Sequence, residues 1–419
     1  MDDFKRPKPA AVAKTKPEVQ AVDVDSDDEL EKPIVLDDQP AKEAVSKTDK
    51  TGGNFLSHRF NKVKTWWKSL NRNLRFGIIA LALLIICAGG LLAYSSSKPK
   101  IAPATQITKH TPKSQTVASP LTGVQVTKQA ASRPVTGVMI ENSLDARPQS
   151  GLQDAGVVYE AVAEAGITRF LTLFQDTAPQ YLGPVRSLRP YYIDYAAPFQ
   201  ASIVHVGGSP DALSEVQNGS FRNLDQFFNG AYFTRISSRD APHNVYTSFA
   251  ELDQLNQSKG YTSSKFTSWP RKKDAKLTVP TAKTIDMAVS GPSYYVHYDY
   301  DAKTNSYARS EAGAPHMELT NSSDTVGVQI KPKVVVALVV PLSQGALDAS
   351  GAYYSDYSTS GSGIAYVFQD GGVTQGTWTK DGTDGQLQFT DAAGHELKLN
   401  AGQTWLTLTS DTSQVTYSK

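Results

Sequence analysis

The chain has 419 residues, with 42 Lys and Arg against 41 Asp and Glu, a net charge of +1 and a single cysteine, Cys87. That length admits two or three domains, and near neutrality excludes a general nucleic-acid binder, which needs a basic field. One cysteine excludes an internal disulfide, so any folded part must rely on an apolar core.

Residues 1–55 are polar and nearly free of aromatics, and include the acidic run Asp23–Glu31. Such a segment buries too little surface to offset chain entropy and reads as a disordered tail. Residues 56–75 are basic and carry the pair Trp66 and Trp67. Phe76 to Tyr94 then runs for 19 residues without a charge or a proline. At ~1.5 Å rise per residue a helix of that length crosses the ~30 Å hydrocarbon core. Basic residues before it and uncharged serines after it predict a plasma-membrane span, single-pass, with the N-terminus cytoplasmic and the C-terminal domain extracytoplasmic. A cleaved signal peptide would begin earlier and be shorter, and a lipoprotein signal would need a small residue where Ile85 and Ile86 precede Cys87.

Residues 95–128, rich in Pro, Ser, Thr and Lys, read as an extracytoplasmic linker. From 129 to 265 the pattern is mixed α/β. Strands are predicted over Val135–Ile140, Val157–Ala163, Ile167–Phe174 and Ala201–Val206, and helices open at Pro190, at Ser209-Pro210 and at Ser248. A basic connector, Ser263 to Lys276, leads to a β-rich part over 275–415, with strands predicted at Tyr294–Tyr300, Val334–Val340, Ile364–Gln369, Val373–Thr379, Gln386–Thr390, Glu396–Leu399 and Thr404–Thr409. Their hairpin spacing reads as an antiparallel meander, either a second subdomain or an extension of the first sheet. The fold class expected is α+β on a single transmembrane helix.

The external part lacks HExxH, Walker, GxSxG and spaced His/Cys patterns, so no metal and no cofactor is assigned. What remains is a dispersed polar set. Glu160, amid Val and Ala, needs a cation, and Arg169 across the same hairpin is the expected partner; Glu164 sits in the turn. The two carboxylates read either as an acid and base for glycoside cleavage or as structural ion pairs. Arg186 and Arg189, three apart, suit a carboxylate or phosphate, or pair with Glu160 or Asp194. His205 ends a buried strand and reads as a general acid or base, or as a core histidine satisfied by a carbonyl. His243 follows Arg239 and Asp240 in a loop, and Arg147 completes the cations.

The stretches ENSLDARPQSGL, VVYEAVAEAGITRFL, GPVRSLRPYYIDYA, VHVGGSPDAL, APHNVYT, GSGIAYVFQDGGVTQGTWTK and AGQTWLTL, in this order, resemble the YerB family of bacterial envelope proteins. The resemblance spans about Arg133 to Thr409 and implies a bacterial surface address and a paired architecture. The family's domain is one of unknown function, so no catalytic set carries over. Its namesake is similar to lipoproteins, whereas this chain has a predicted transmembrane anchor. The leading expectation is a binding module for an anionic or glycan cell-wall ligand. Arg147, Arg169, Arg186 and Arg189, with Arg239 and Asp240 nearby, would hold the anion, and Tyr191, Tyr192 and Trp269 would stack on sugars. The competing expectations are a wall hydrolase or transferase using Glu160, Glu164, His205 or His243, and a scaffold for other envelope proteins.

Overall fold

The computed structural model describes residues 66–96, 115–323, 327–348 and 351–419, with the backbone alone for 90–96. The tail expected over 1–55, residues 56–65 of the basic juxtamembrane segment and residues 97–114 of the linker lie outside the described residues, and residues 95 and 96, expected in the linker, are the last two of the helix Arg72–Ser96. The chain divides into two compact units, Met1–Ile107 and Thr108–Lys419. The first contains α1 (Arg72–Ser96), a 25-residue helix. Its window Arg72–Gly89 has a mean hydropathy of 1.7 and no buried residue, so by length and composition it suffices to cross a bilayer.

The second unit starts before the predicted boundary at 129. Thr116–Ala118 pairs with Gln125–Thr127, and Leu121 between them is buried in the main core. The hydroxyls of Ser119 and Thr122 donate to Asp176. Its strands are three residues each, and Val117 and Val126 are only half-buried beside Leu121, runs too short for composition to separate from linker.

The N-terminal part supplies β1 (Thr136–Glu141), β2 (Val157–Glu164), β3 (Ile167–Phe174), α2 (Pro190–Ala196), β4 (Ser202–His205), α3 (Pro210–Asn218), β5 (Arg222–Asp225) and α4 (Phe249–Ser258). Proline opens both α2 and α3, where its missing N–H costs nothing, and the Ser248 hydroxyl caps α4 through the Glu251 amide. The C-terminal part supplies β6 (Thr284–Ala288), β7 (Tyr295–Asp301), β8 (Ser306–Glu311), β9 (Val334–Val339), β10 (Leu342–Leu347), β11 (Tyr353–Tyr357), β12 (Gly361–Gln369), β13 (Gly372–Lys380), β14 (Gln388–Asp391), β15 (Thr404–Thr409) and β16 (Val415–Ser418). The fold is α+β, dominated by sheets.

Strands of both parts join one sheet in the order β14-β13-β12-β9-β15-β2-β3-β1-β4-β5. The expected antiparallel meander holds for β12, β13 and β14, but β9 runs parallel to β15, and β15 runs parallel to β2. Strands buried on both faces read as unbroken apolar runs, which hide their direction. Glu396–Leu399 is split: Glu396 bridges antiparallel to Thr390 of β14, whereas Leu399, with Asn400, pairs with Arg271 and Lys272 of the predicted connector, which is packed rather than free. The C-terminal part also builds a second sheet from β8, β7, β6 and β16. One face of the large sheet carries α2 and α3; the other carries α4 and, further along, the second sheet.

Two ion clusters fix these layers. Glu160 is fully buried and does not meet Arg169, which is a correction of the expected pairing. Glu160 stands opposite Phe170 and Arg169 opposite Ala161, and neighbouring side chains on a strand point to opposite faces. The partner is Arg309 on β8, whose Nη2 donates to both carboxylate oxygens at 2.9 and 3.1 Å across the gap between the sheets. Trp405 Nε1 and Thr407 Oγ1 of β15 donate to Oε2 at 3.1 and 3.2 Å, and Thr168 Oγ1 of β3 donates to Oε1 at 3.4 Å. The guanidinium also lies 4.6 Å from the Trp405 ring centroid. In the second cluster, Glu164 Oε1 accepts from Arg169 Nη2 and Glu164 Oε2 from Arg189 Nη2, both at 2.7 Å. An irregularity between Val162 and Glu164 carries Glu164 round to the Arg169 face.

Arg309→Ala, which leaves Glu160 as a buried charge without its cation, should cost about 3–5 kcal/mol in denaturant unfolding. Adding Glu160→Gln should recover part of that loss, and an unchanged midpoint for Arg309→Ala would refute the lock. Burial alone would raise the Glu164 carboxyl, but Arg169 and Arg189 outweigh it and hold the group below its ordinary 4.5. A depressed carboxyl stabilises the fold above its unfolded-state value and loses that contribution as pH falls through the folded one. Wild type should therefore lose stability relative to Glu164→Gln between about pH 5 and pH 3; parallel stability curves would contradict this assignment.

Candidate functional site

Three mutually parallel strands, β1, β4 and β5, deliver their carboxyl ends to one place. β1 ends at Glu141, β4 runs through His205 into Gly207 and Gly208, and β5 ends at Asp225. Outside the carboxyl ends of parallel strands is where an α/β sheet opens a crevice. Here it measures about 510 Å³ and is lined by Arg186, Gly207, Asp225, Phe227, Phe228 and Arg235, among others.

The crevice wall is built by the sequence immediately after each strand. Gly207 adopts φ +59°, and a Cβ there would lie 3.1 Å from the Phe227 ring, so glycine both permits the turn and admits the ring. Asp225 Oδ1 accepts the amides of Gly207 and Phe227, each at 3.1 Å, which ties the two strand ends together. That leaves Phe227 and Phe228 displayed on a short turn at 67 % and 76 % exposure. Arg235 spends one nitrogen on Asn244 Oδ1 at 2.8 Å. Arg186 donates from Nε to Glu141 Oε1 at 3.0 Å, and its two terminal nitrogens take no hydrogen-bond partner among the described residues. The crevice thus combines aromatic faces, guanidinium N–H groups and a carboxylate, a set suited to an anionic or hydroxyl-rich ligand.

Of the residues expected to act here, the structure brings Arg186 and His243 together. Glu141, which sequence reasoning passed over, joins them: its Oε2 lies 2.9 Å from His243 Nδ1. Ser143 Oγ is 3.3 Å from the same nitrogen, and Asp145 Oδ2 is 4.0 Å from Nε2. Arg239 holds the neighbouring loop through the carbonyls of Asp145 and Pro148, while Asp240 is exposed and its carbonyl accepts the His243 amide.

The other candidates are engaged elsewhere and are corrected accordingly. Arg169 and Arg189 are consumed by Glu164, and Arg189 stacks on Tyr354 at 4.8 Å. Arg147 is bound to Asn142, to the Ser293 carbonyl and, at 3.1 Å, to Glu311. Glu160 and Glu164 meet different cations on opposite faces of the sheet, so they do not form a glycosidase pair. His205 has both nitrogens occupied, by the Gly207 carbonyl at 2.8 Å and Asn223 Oδ1 at 2.9 Å, which makes it a satisfied core histidine. Tyr191, Tyr192 and Trp269 are buried, with their polar atoms on the carbonyls of Val162, Arg169 and Leu387, and cannot stack on a ligand. At the crevice the exposed aromatics among the described residues are Phe227 and Phe228. Two adjacent phenylalanines in the polar run Asn223 to Gly230 were the available signal for them.

A buried polar network backs the site. Asn142 links Thr168, Gln149 and Glu311, and His316 accepts from Arg309 Nε at Nδ1 while facing Gln149 Oε1 with Nε2. Burial, then the Arg309 and Arg147 charges, push the His316 imidazole well below its ordinary value, so it is neutral. Burial raises the Glu311 carboxyl despite Arg309. Among the described residues no group of three or more His, Cys, Asp or Glu is placed to hold a metal ion.

Comparison with known proteins places this fold. Residues 121–262 match the model described as "Protein of unknown function (DUF3048) N-terminal domain", and residues 285–406 match its C-terminal counterpart. The Bacillus subtilis (strain 168) protein named "Putative lipoprotein YerB" is 31 % identical over 309 residues, covering 72 % of this chain and 88 % of that protein. The crystal structure of YerB protein from Bacillus subtilis superposes with a TM-score of 0.62 at 29 % identity, over 72 % of this chain and 100 % of the crystallised one. With both domain models matched in order and this relative spanned across most of its length, the chain belongs to the YerB-like DUF3048 family, whose domains are of unknown function.

Proposed function

We propose that this protein is a bacterial envelope protein held by one membrane-spanning helix, with Thr108–Lys419 outside the cell, and that it binds an anionic or glycan ligand of the cell wall. The address is supported by the lipoprotein name of its relative and by the apolar helix α1. The cluster Arg59, Lys62, Lys64, Lys68, Arg72 and Arg75 before that helix, against the uncharged Ser95 to Ser97 directly after it, supports an inward N-terminus. Binding is carried by one observation: the crevice at the ends of β1, β4 and β5 displays two solvent-facing phenylalanines beside guanidinium groups that the fold leaves unsatisfied. Sugar rings stack on aromatic faces, and carboxylate or phosphate groups accept from arginine.

The full chain in detergent should co-sediment saturably with purified bacterial cell wall. Replacing Phe227 and Phe228 together by Ala should weaken binding about tenfold or more, the usual effect of removing an aromatic anchor. Arg235→Gln should weaken it less at high salt than at low salt, because screening already removes part of its contribution. Absence of saturable binding, or equal binding by both variants, would refute the crevice as the ligand site. For the anchor, the chain should stay in the membrane fraction through alkaline carbonate extraction, and external protease should remove the C-terminal unit while sparing the N-terminal tail. Release into the soluble fraction would overturn it.

A further inference from the structure

Glu141, Arg186 and His243 form a cluster at the crevice that no structural role exhausts. Glu141 is 3 % exposed and divides its two oxygens between them: Oε1 to Arg186 Nε at 3.0 Å and Oε2 to His243 Nδ1 at 2.9 Å. Arg186 and Pro242, the residue before His243, both line the crevice. A carboxylate on Nδ1 fixes the tautomer that places the proton there and leaves the Nε2 lone pair available. His243 Nε2 makes no hydrogen bond to a described residue, and the Asp145 carboxylate 4.0 Å away is 83 % exposed. Arg186 likewise retains two terminal nitrogens without partners among the described residues. A positioned base and an unsatisfied cation sharing one buried carboxylate are the parts of a water-activating site.

We propose that Glu141, Arg186 and His243 form a hydrolytic centre for a carboxylic ester carried by the anionic or glycan ligand, a proposal that rests on the crevice reading above. His243 Nε2 takes a proton from water while the water oxygen bonds to the ester carbonyl carbon. The C=O electron pair moves onto the carbonyl oxygen, where the terminal N–H groups of Arg186 stabilise the charge. Collapse re-forms C=O, breaks the bond to the alcohol oxygen, and the imidazolium returns its proton to that oxygen, giving acid and alcohol. Glu141 is the positioning residue. Serine catalysis does not fit: Ser143 lies on Nδ1, the nitrogen already facing Glu141, whereas a serine nucleophile must sit on the opposite nitrogen.

The test uses the full chain in detergent with 4-nitrophenyl acetate as probe, alongside release of acid from purified cell wall, with wall binding read from the pellets of the same tubes. The wild type should release 4-nitrophenolate at a rate that rises with pH to a plateau, and His243→Asn should lower that rate about 100-fold and abolish the pH dependence. Glu141→Gln should lower it about tenfold and move the plateau to lower pH, because His243 loses its carboxylate partner; a loss with an unmoved pH profile would overturn the positioning role of Glu141. Ser143→Ala should change the rate less than threefold. Equal rates for wild type and His243→Asn, or loss in Ser143→Ala, overturn the proposal. Wall binding without hydrolysis overturns it while leaving the crevice as a binding site, and hydrolysis of the probe without wall binding rejects the ligand reading instead.

Discussion

Everything in the folded unit is arranged around a carboxylate that has been taken out of water. Glu160 lies on β2 in the middle of the large sheet, and an ionised group there survives only if its oxygens are fully supplied with donors. Thr168 across the hairpin gives one long contact, and the other donors come from Arg309, Trp405 and Thr407, which stand 149, 245 and 247 residues further along the chain. Meeting the requirement forces β15 to lie against β2 and β8 to lie over it. Exchanging such a pair for apolar side chains often costs little, so its effect is less a gain in net stability than a choice of arrangement. One register and one placement of the second sheet satisfy Glu160; alternatives leave it unpaired.

The same economy of donors decides which arginines reach solvent chemistry. Arg147, Arg169 and Arg189 lie beside sheet interior, and each meets a carboxylate or a row of carbonyls. Arg186 follows the Gly183–Val185 stretch that bridges to β1 and emerges where β1 ends, so its terminal nitrogens have no partner among the described residues. Position along the strand, rather than residue type, separates a lock from a candidate ligand contact. The crevice follows from topology too, because β1, β4 and β5 run in one direction and finish side by side.

Sequence reasoning read the elements better than their partners. The strands Val157–Ala163 and Ile167–Phe174 and the proline-opened helices were visible because apolar runs, turn glycines and caps are local signals. The pairing expected of Glu160 with Arg169 fails because closeness across a hairpin says nothing about face, and only the register places one opposite Phe170 and the other opposite Ala161. Strands such as Thr284–Ala288 and Ser306–Glu311 were missed since half their residues are polar and their burial comes from a distant sheet. Tyr191, Tyr192 and Trp269 resembled ligand platforms by type, but α2 turns the tyrosines into the sheet and the connector buries the tryptophan. No local pattern distinguishes an aromatic that a helix buries from one that a turn exposes.

The histidines show most directly why a site has to be read from geometry. His205 stands at a strand end beside a glycine turn, an attractive address, yet its two nitrogens are spent on a carbonyl and an amide. His316 lies deep in the polar network with Arg309 on one nitrogen and Gln149 on the other, and burial, reinforced by the Arg309 and Arg147 charges, keeps it neutral. His297 has an aspartate at each nitrogen, Asp286 at 2.8 Å and Asp299 at 3.3 Å. His243 differs in having a buried carboxylate on one side and an open nitrogen on the other. An imidazole moves a proton only if one nitrogen is free while the other is held, because the held side fixes the tautomer and the free side meets the reactant. By that criterion His205, whose place in the sequence looks more catalytic, has no nitrogen left to offer, and the loop histidine beside Arg186 does.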